Sequence, residues 1–198
     1  MHPIFLNTNI DKKLYTEVIY KRGDVIFNEG DECTKVGFIE YGNISISTIS
    51  YSNNEYEIKS LKEDSFFGSF VLFSQKPYYL GSGVAKVNTK VIYFSKENLL
   101  KAFLDKQFLI NYLNLTTKES LLTQQKIKIL SQSSIRDKIL FLLYENKNRN
   151  KTNILRIKSK ESLAKYINCP RPSLSRVLIE LKDEGIIDYN KYELILKK

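Results

Sequence analysis

Arginine and serine residues near the C-terminus have the types and spacing needed to bind a nucleic acid. Arg171 and Arg176 fall on the polar side of a predicted helix that has no acidic residue before Glu180. Arginine at the start of such a helix can donate two hydrogen bonds to guanine, and a serine hydroxyl can hold a phosphate or a base edge. We therefore expect the two arginines to contact bases. The candidate DNA-binding residues are Arg171, Arg176, Ser173, Ser175, Ser159 and Lys160, of which Ser159, Lys160 and Ser173 are expected to contact phosphates.

A helix-turn-helix would position these side chains. Ser159 can cap a first helix, and the small Ala164 lets a second helix approach it closely. Asn168 falls at the turn, because asparagine tolerates the left-handed conformation. The second helix is expected to begin near residues 170–172, since proline is allowed in a first helical turn. Two strand-like runs within residues 186–196 predict a wing.

The net charge of the chain, +9, is concentrated in its last third. Residues 133–198 contain 15 Lys and Arg against 8 Asp and Glu, whereas residues 1–132 contain 16 against 14. Proteins that bind nucleic acids concentrate positive charge on the surface that meets phosphate. A general compositional bias toward Lys, Asn and Ile would also make the chain positive, so the charge supports this interpretation only together with the motif.

The preceding residues predict a β-rich domain followed by helices. Between Tyr20 and Phe94, alternating polar and apolar stretches are separated by glycine-containing turns and by a polar turn at residues 52–54, as in an antiparallel barrel or sandwich. After Phe94 no glycine occurs until Gly185, and the apolar spacing becomes helical. We predict a β domain at 1–105, a long helix at 106–132 and a DNA-binding domain at 133–198, with Ser134 capping the first helix of that domain.

The long helix contains a stripe of residues spaced alternately four and three apart. Both ends of the stripe are apolar, whereas its middle is small and polar. We expect it to form a coiled-coil seam between two copies of the chain; an ordinary amphipathic helix that packs on its own domain is the alternative. The seam residues are Leu109, Leu113, Thr116, Ser120, Thr123, Ile127 and Leu130.

Composition argues against several classes of protein. No apolar run approaches the roughly 18 residues of a membrane-spanning helix, and the N-terminus has no secretory signal, so we expect a cytoplasmic protein without membrane contact. Cys33 and Cys169 are too few for a structural zinc site or a disulfide framework. The chain has one histidine, His2, and no recognisable catalytic motif. We therefore expect no enzyme activity and no metal site.

The order of these segments and three of their motifs resemble the family of the cyclic-AMP receptor protein and the fumarate–nitrate reduction regulator (CRP/FNR). The motifs are KRGDVIFNEGDECTKVGFIEYGNISIS at 21–47, FFGSFVLF at 66–73 and CPRPSLSRVLIELKDEGII at 169–187. The resemblance implies an α+β chain with an N-terminal antiparallel β-roll of the jelly-roll-like, double-stranded β-helix type, a dimerisation helix and a C-terminal winged helix-turn-helix. It also implies a homodimeric transcription regulator on a palindromic operator in double-stranded DNA, with RNA polymerase as a partner.

Several residues depart from the pattern of this family. Nucleotide-binding members have a glutamate after the Phe-Gly of the central motif and an Arg-Ser pair about a dozen residues later, where this chain has Ser69, Tyr79 and Leu80. A phosphate without a cation loses charge-assisted hydrogen bonds, so we do not expect cyclic AMP. The cysteine cluster of the oxygen-sensing branch is missing and His2 is terminal, so we expect neither an iron–sulfur cluster nor haem. Pro172 replaces the glutamate that follows the first reading arginine in many members, which leaves the operator sequence open.

The β domain is expected to bind a small-molecule effector other than cyclic AMP, or none. A seam with a polar middle can be bistable, and a ligand that prefers one arrangement would shift it. A pocket filled by its own aromatic side chains is the alternative. A second interpretation is a ligand-binding signalling module whose C-terminal domain docks a protein instead of DNA. The candidate pocket residues are Phe67, Gly68, Ser69, Phe70, Tyr79, Leu80, Thr123 and Gln124.

Overall fold

A computed structural model of the chain describes residues 2–49 and 55–197. The turn predicted at residues 52–54 lies outside these ranges. The chain divides into two compact units, Met1–Ser120 and Leu121–Lys198. The division into a β domain at 1–105, a dimerisation helix at 106–132 and a DNA-binding domain at 133–198 stays a prediction.

The first unit is built on two antiparallel sheets. One four-stranded sheet has the order β1-β8-β3-β6 and the other has the order β2-β7-β4-β5. The strands are β1 (Thr16–Tyr20), β2 (Val25–Phe27), β3 (Lys35–Tyr41), β4 (Asn43–Ile49), β5 (Glu55–Lys62), β6 (Phe66–Phe67), β7 (Ser82–Ala85) and β8 (Thr89–Ser95), and they are followed by the helices α1 (Lys96–Ala102) and α2 (Lys106–Leu130). The predicted antiparallel β-roll is confirmed.

Successive side chains of β8 are buried in two different cores, so this sheet is covered on both faces. Val91 and Tyr93 are buried in the core between the two sheets. Ile92 and Phe94, one position along, are buried in a second core that contains residues of α1 and α2. Because successive side chains of a strand point to opposite faces, an apolar run such as this one fits a strand buried on both sides.

The second unit contains the end of α2, three further helices and a small sheet. Its elements are α3 (Ile135–Asn150), β9 (Ile154–Arg156), α4 (Lys160–Tyr166), α5 (Arg171–Asp183), β10 (Ile187–Tyr189) and β11 (Glu193–Leu196). The antiparallel sheet has the order β10-β11-β9, so the predicted wing is confirmed and a third strand, β9, is added to it. Ser134 caps α3 as predicted, since its hydroxyl accepts the amide of Asp137 at 3.0 Å. Among the described residues, no helix is long and apolar enough to cross a membrane.

Candidate nucleic-acid interface and effector cavity

The helix-turn-helix forms from α4 and α5 with the local signals that the sequence predicted. The hydroxyl of Ser159 accepts the amide of Ser162 at 3.0 Å, and the hydroxyl of Ser162 accepts the amide of Ser159 at 3.1 Å. This reciprocal capping box fixes the first turn of α4. Asn168 adopts φ 53°, the left-handed conformation expected at the turn. Ala164 is buried between the helices, and Pro170 is the N-cap residue of α5.

The two predicted base readers lie on the solvent side of α5. Its inner side is buried in the core through Leu174, Leu178 and Leu181. Arg171 and Arg176 are exposed. Within the described ranges, no acidic side chain forms an ion pair with either guanidinium, so both are available to an external acceptor. Ser173 and Ser175 are half-buried on the same helix.

A cleft of about 520 Å³ lies beside the start of α5. It is lined by Ser159, Lys160, Glu161, Arg171, Tyr189, Asn190 and Lys191, which come from α4, α5 and the wing. The ammonium of Lys160 lies 4.2 Å from the centre of the Tyr189 ring. Glu161 is paired with Lys165 at 3.2 Å, so the cleft retains an excess of positive charge. Three predicted residues, Ser159, Lys160 and Arg171, therefore meet in a site suited to a phosphate group.

Two ion pairs connect the C-terminal end of α5 to neighbouring elements, and the sequence did not predict them. The guanidinium of Arg136 in α3 donates to both carboxylate oxygens of Glu184, at 2.7 and 2.5 Å. The ammonium of Lys182 lies 2.8 Å from the carboxylate of Asp188, and it lowers the pKa of that carboxyl. Because bidentate arginine–carboxylate pairs fix orientation, the first contact orients α3 against the end of α5.

A second candidate site is an apolar cavity of about 210 Å³ in the first unit. Its lining includes six of the predicted pocket residues: Phe67, Gly68, Ser69, Phe70, Tyr79 and Leu80. Gly68 has φ 76°, a backbone conformation that is strained for residues with a side chain, and a Cβ there would make a tight contact of 3.0 Å with the sulfur of Cys33. The other two predicted residues, Thr123 and Gln124, are exposed residues of the second unit and do not line the cavity.

Tyr79 lies at the position where nucleotide-binding members of the resembling family have the arginine of the Arg-Ser pair. Its ring stacks on Phe27 with 4.0 Å between ring centres. Burial raises the pKa of its phenol, as does the side-chain hydrogen bond to Cys33, so the phenol is neutral. A neutral stacked phenol provides no charge to balance a phosphate.

Glu119 of α2 and Lys59 of β5 line this cavity as an ion pair. One oxygen of the Glu119 carboxylate accepts the amide of Phe66 at 3.0 Å, and the other accepts the ammonium of Lys59 at 3.1 Å. Glu119 was not among the site residues predicted from the sequence. The available signal was that Glu119 is the only acidic residue among residues 106–130.

The predicted seam residues do not all face the same way on α2. Four of them are exposed: Leu113, Thr123, Ile127 and Leu130. Thr116 is buried, and its hydroxyl donates to the carbonyl of Tyr112 at 2.9 Å, because this part of the stripe packs inside its own unit. Leu109 and Ser120 are half-buried. Exposed apolar residues that the seam did not include are Ile110, Leu121 and Leu122.

Within the part of the chain that the structure describes, no three His, Cys, Asp or Glu side chains are grouped to hold a metal ion. Cys33 is buried and Cys169 half-buried, and both are free thiols.

Comparisons with known proteins agree on both units. The model of the cyclic nucleotide-binding domain matches residues 17–106, and that of the Crp-like helix-turn-helix domain matches residues 139–198. No curated protein sequence matches the chain.

Solved structures share the fold at low sequence identity. A structure of CprK in complex with OCPA has a TM-score of 0.69 at 20% identity, over 94% of this chain and 88% of the other. The c-di-GMP responsive global regulator CLP of Xanthomonas campestris has a TM-score of 0.57 at 18% identity, over 94% and 95%. The catabolite activator protein of Thermus thermophilus has a TM-score of 0.52 at 19% identity, over 98% and 93%. With a cyclic nucleotide-binding domain followed by a Crp-like helix-turn-helix on this shared fold, the chain belongs to the CRP/FNR family of transcription regulators.

Proposed function

We propose that this chain is a sequence-specific DNA-binding transcription regulator. The observation that carries the proposal is the exposed side of α5, where Arg171 and Arg176 have no acidic partner among the described residues. The positive cleft beside it supports the proposal, because phosphate contacts fix the register in which arginines reach base edges. Arg171 and Arg176 contact bases in the major groove, and Ser159, Lys160 and Ser173 contact phosphates. Ser175, half-buried on the same helix, is assigned to either role.

The regulator acts as a homodimer on a palindromic operator. Exposed apolar residues along α2, among them Leu113 and Ile127, support this assignment, because a partner helix would remove their surface from water. A two-fold dimer would present two copies of α5 to half-sites about one helical turn apart. The cytoplasm, where genomic DNA and RNA polymerase are found, is the compartment in which it works, with RNA polymerase as its partner.

The cavity in the first unit is the place for an effector, which is a small molecule other than cyclic AMP if one exists. The fold relatives support an effector: one was solved as an OCPA complex of CprK, and another is described as c-di-GMP responsive. The neutral Tyr79 argues against a phosphate-containing ligand, as does the pairing of the Lys59 ammonium in the cavity lining with Glu119.

The salt dependence of DNA binding tests the proposal. Genomic fragments selected by the full chain would supply the operator, and anisotropy would then give its affinity at several salt concentrations. Because each neutralised phosphate releases counterions, log affinity should fall steeply and linearly with log salt concentration, and operator DNA should bind more tightly than random DNA. A protein that docks another protein through this domain predicts weak DNA binding with little salt dependence, and that result would reject the proposal.

A further inference from the structure

Ile179 is an exposed apolar residue on the same helix as the proposed base readers. Half of its surface, 50%, remains accessible, whereas Leu174, Leu178 and Leu181 of α5 are fully buried. The core positions of α5 are thus filled without Ile179. A single exposed isoleucine is common on protein surfaces, so its position on the helix decides whether it has a role.

The position of Ile179 places it beside Arg176. With 100° and about 1.5 Å of rise per residue, Ile179 lies about 60° around α5 from Arg176 and about 4.5 Å further along its axis. That distance is close to the rise of about 3.4 Å per base pair. Pro172 is exposed almost directly in line with Ile179, two turns earlier. The next residue, Glu180, interacts electrostatically with Arg136 of α3. Glu180 therefore belongs to the side of α5 that is near α3.

An isoleucine side chain can recognise only one feature of the major groove. It neither donates nor accepts hydrogen bonds, and the apolar group that a base pair offers there is the C5 methyl of thymine. Cytosine, the other pyrimidine, has no methyl group at that position. We propose that Ile179 is a specificity-determining residue that contacts the methyl group of a thymine next to the base pair read by Arg176. This inference rests on the proposed DNA-binding function.

Replacing thymine by deoxyuracil tests the contact, because uracil differs from thymine only by this methyl group. Each thymine of an operator half-site selected by the full-length protein would be replaced in turn, and the affinity measured. For the wild-type protein, we expect a loss of about fourfold at one or two thymines, as for one buried methyl group. These thymines should lie within about two base pairs of the base whose identity matters to Arg176.

Variants of the isoleucine assign the effect. Ile179→Ser should abolish the difference between thymine and uracil while keeping the base preference due to Arg176, and Ile179→Val should retain most of the difference. Ile154→Ser is the matched control, since Ile154 is an isoleucine of the same unit that is 40% exposed on β9. It should leave the thymine dependence unchanged.

Two results would overturn the inference without affecting the proposed function. One is a wild-type protein that binds uracil and thymine operators equally, and the other is an Ile179→Ser variant that keeps the full thymine dependence, as expected if Ile179 serves a protein contact. Failure to select any operator would instead reject the proposed function, and the inference with it.

Discussion

Arg171 and Arg176 have different surroundings, which separates the contributions we propose for them in DNA recognition. Arg171 lines the cleft with Lys160 and Lys191, so it adds to a local excess of positive charge that attracts any phosphate. Arg176 is exposed but does not line the cleft. Its removal should therefore affect base recognition more than general attraction to DNA.

Arg176→Ala tests this separation. We expect the variant to lose about 1–3 kcal/mol of binding free energy on operator DNA and almost none on random DNA, because a bidentate contact to one base pair discriminates by that amount. Anisotropy titrations on both DNAs, repeated at several salt concentrations, measure these affinities and their salt slopes. Lys160→Ala is the control: it should weaken both kinds of DNA and reduce the salt slope by about 1. Equal losses on the two DNAs for Arg176→Ala would contradict a base-reading role.

Asp137 makes the stability of the second unit depend on pH in the acidic range. The hydroxyls of Ser134 and Ser133 lower the pKa of its carboxyl below the ordinary value. A carboxyl with a lowered pKa in the folded state stabilises that state above its unfolded pKa, and the contribution disappears as the pH falls through the folded value. The stability difference between wild type and Asp137→Asn, followed by urea unfolding from about pH 7 to about pH 2, should therefore shrink on acidification. A difference that stays constant over this range would contradict the prediction.

At the scale of elements, the sequence predicted those features whose causes are local. Ser134 and Ser159 cap helices through residues three positions away, and Asn168 takes the left-handed conformation by itself. The carboxylate of Glu119, in contrast, accepts an amide that is 53 residues distant, and Arg136 reaches Glu184 over 48 residues. Such pairs depend on how the elements pack, and no periodicity within a single element indicates them.

Two adjacent serines before α3 allow the helix cap to be tested with an internal control. Only Ser134 accepts a backbone amide, that of Asp137, whereas the hydroxyl of Ser133 donates to the Asp137 carboxylate. Ser134→Ala should lower the free energy of unfolding of the second unit by about 0.5–2 kcal/mol, because it leaves a helix-terminal amide without its partner. Ser133→Ala should have a much smaller effect. Urea unfolding followed by circular dichroism measures both, and equal effects would show that the cap contributes little.

The exposed stripe on α2 makes the dimer testable by one substitution. Leu113 is 51% exposed, and a glutamate at this position would place a charge in the proposed seam. We expect Leu113→Glu to shift the protein from dimer to monomer in sedimentation equilibrium while the circular dichroism spectrum is retained. Lys118→Glu, an exposed position about 180° around the helix from the centre of the predicted stripe, should leave the dimer intact. A Leu113→Glu variant that remains dimeric would show that another surface joins the copies.

Across the whole molecule, positive charge and the candidate effector cavity belong to different units. Residues 133–198 carry 15 basic against 8 acidic side chains, whereas the cavity lies entirely within the first unit. The positive charge that supports the proposed DNA binding therefore lies outside the cavity. In the proposed dimer, a ligand in the cavity can change DNA affinity only if it binds more tightly to one arrangement of the two copies than to another.

Cyclic AMP should not be that ligand. A bound phosphate would meet the carboxylate of Glu119, which already holds the ammonium of Lys59, and it would find a neutral phenol at Tyr79. The ammonium of Lys59 lines the cavity but is already paired with Glu119, so a bound phosphate would not recover the solvation that it loses. Calorimetry should therefore detect no binding up to about 1 mM nucleotide, equivalent to about −4 kcal/mol. Operator affinity with and without cyclic AMP should be equal. Saturable heat together with a shift in operator affinity would show that the chain recognises the nucleotide through groups other than Ser69, Tyr79 and Leu80.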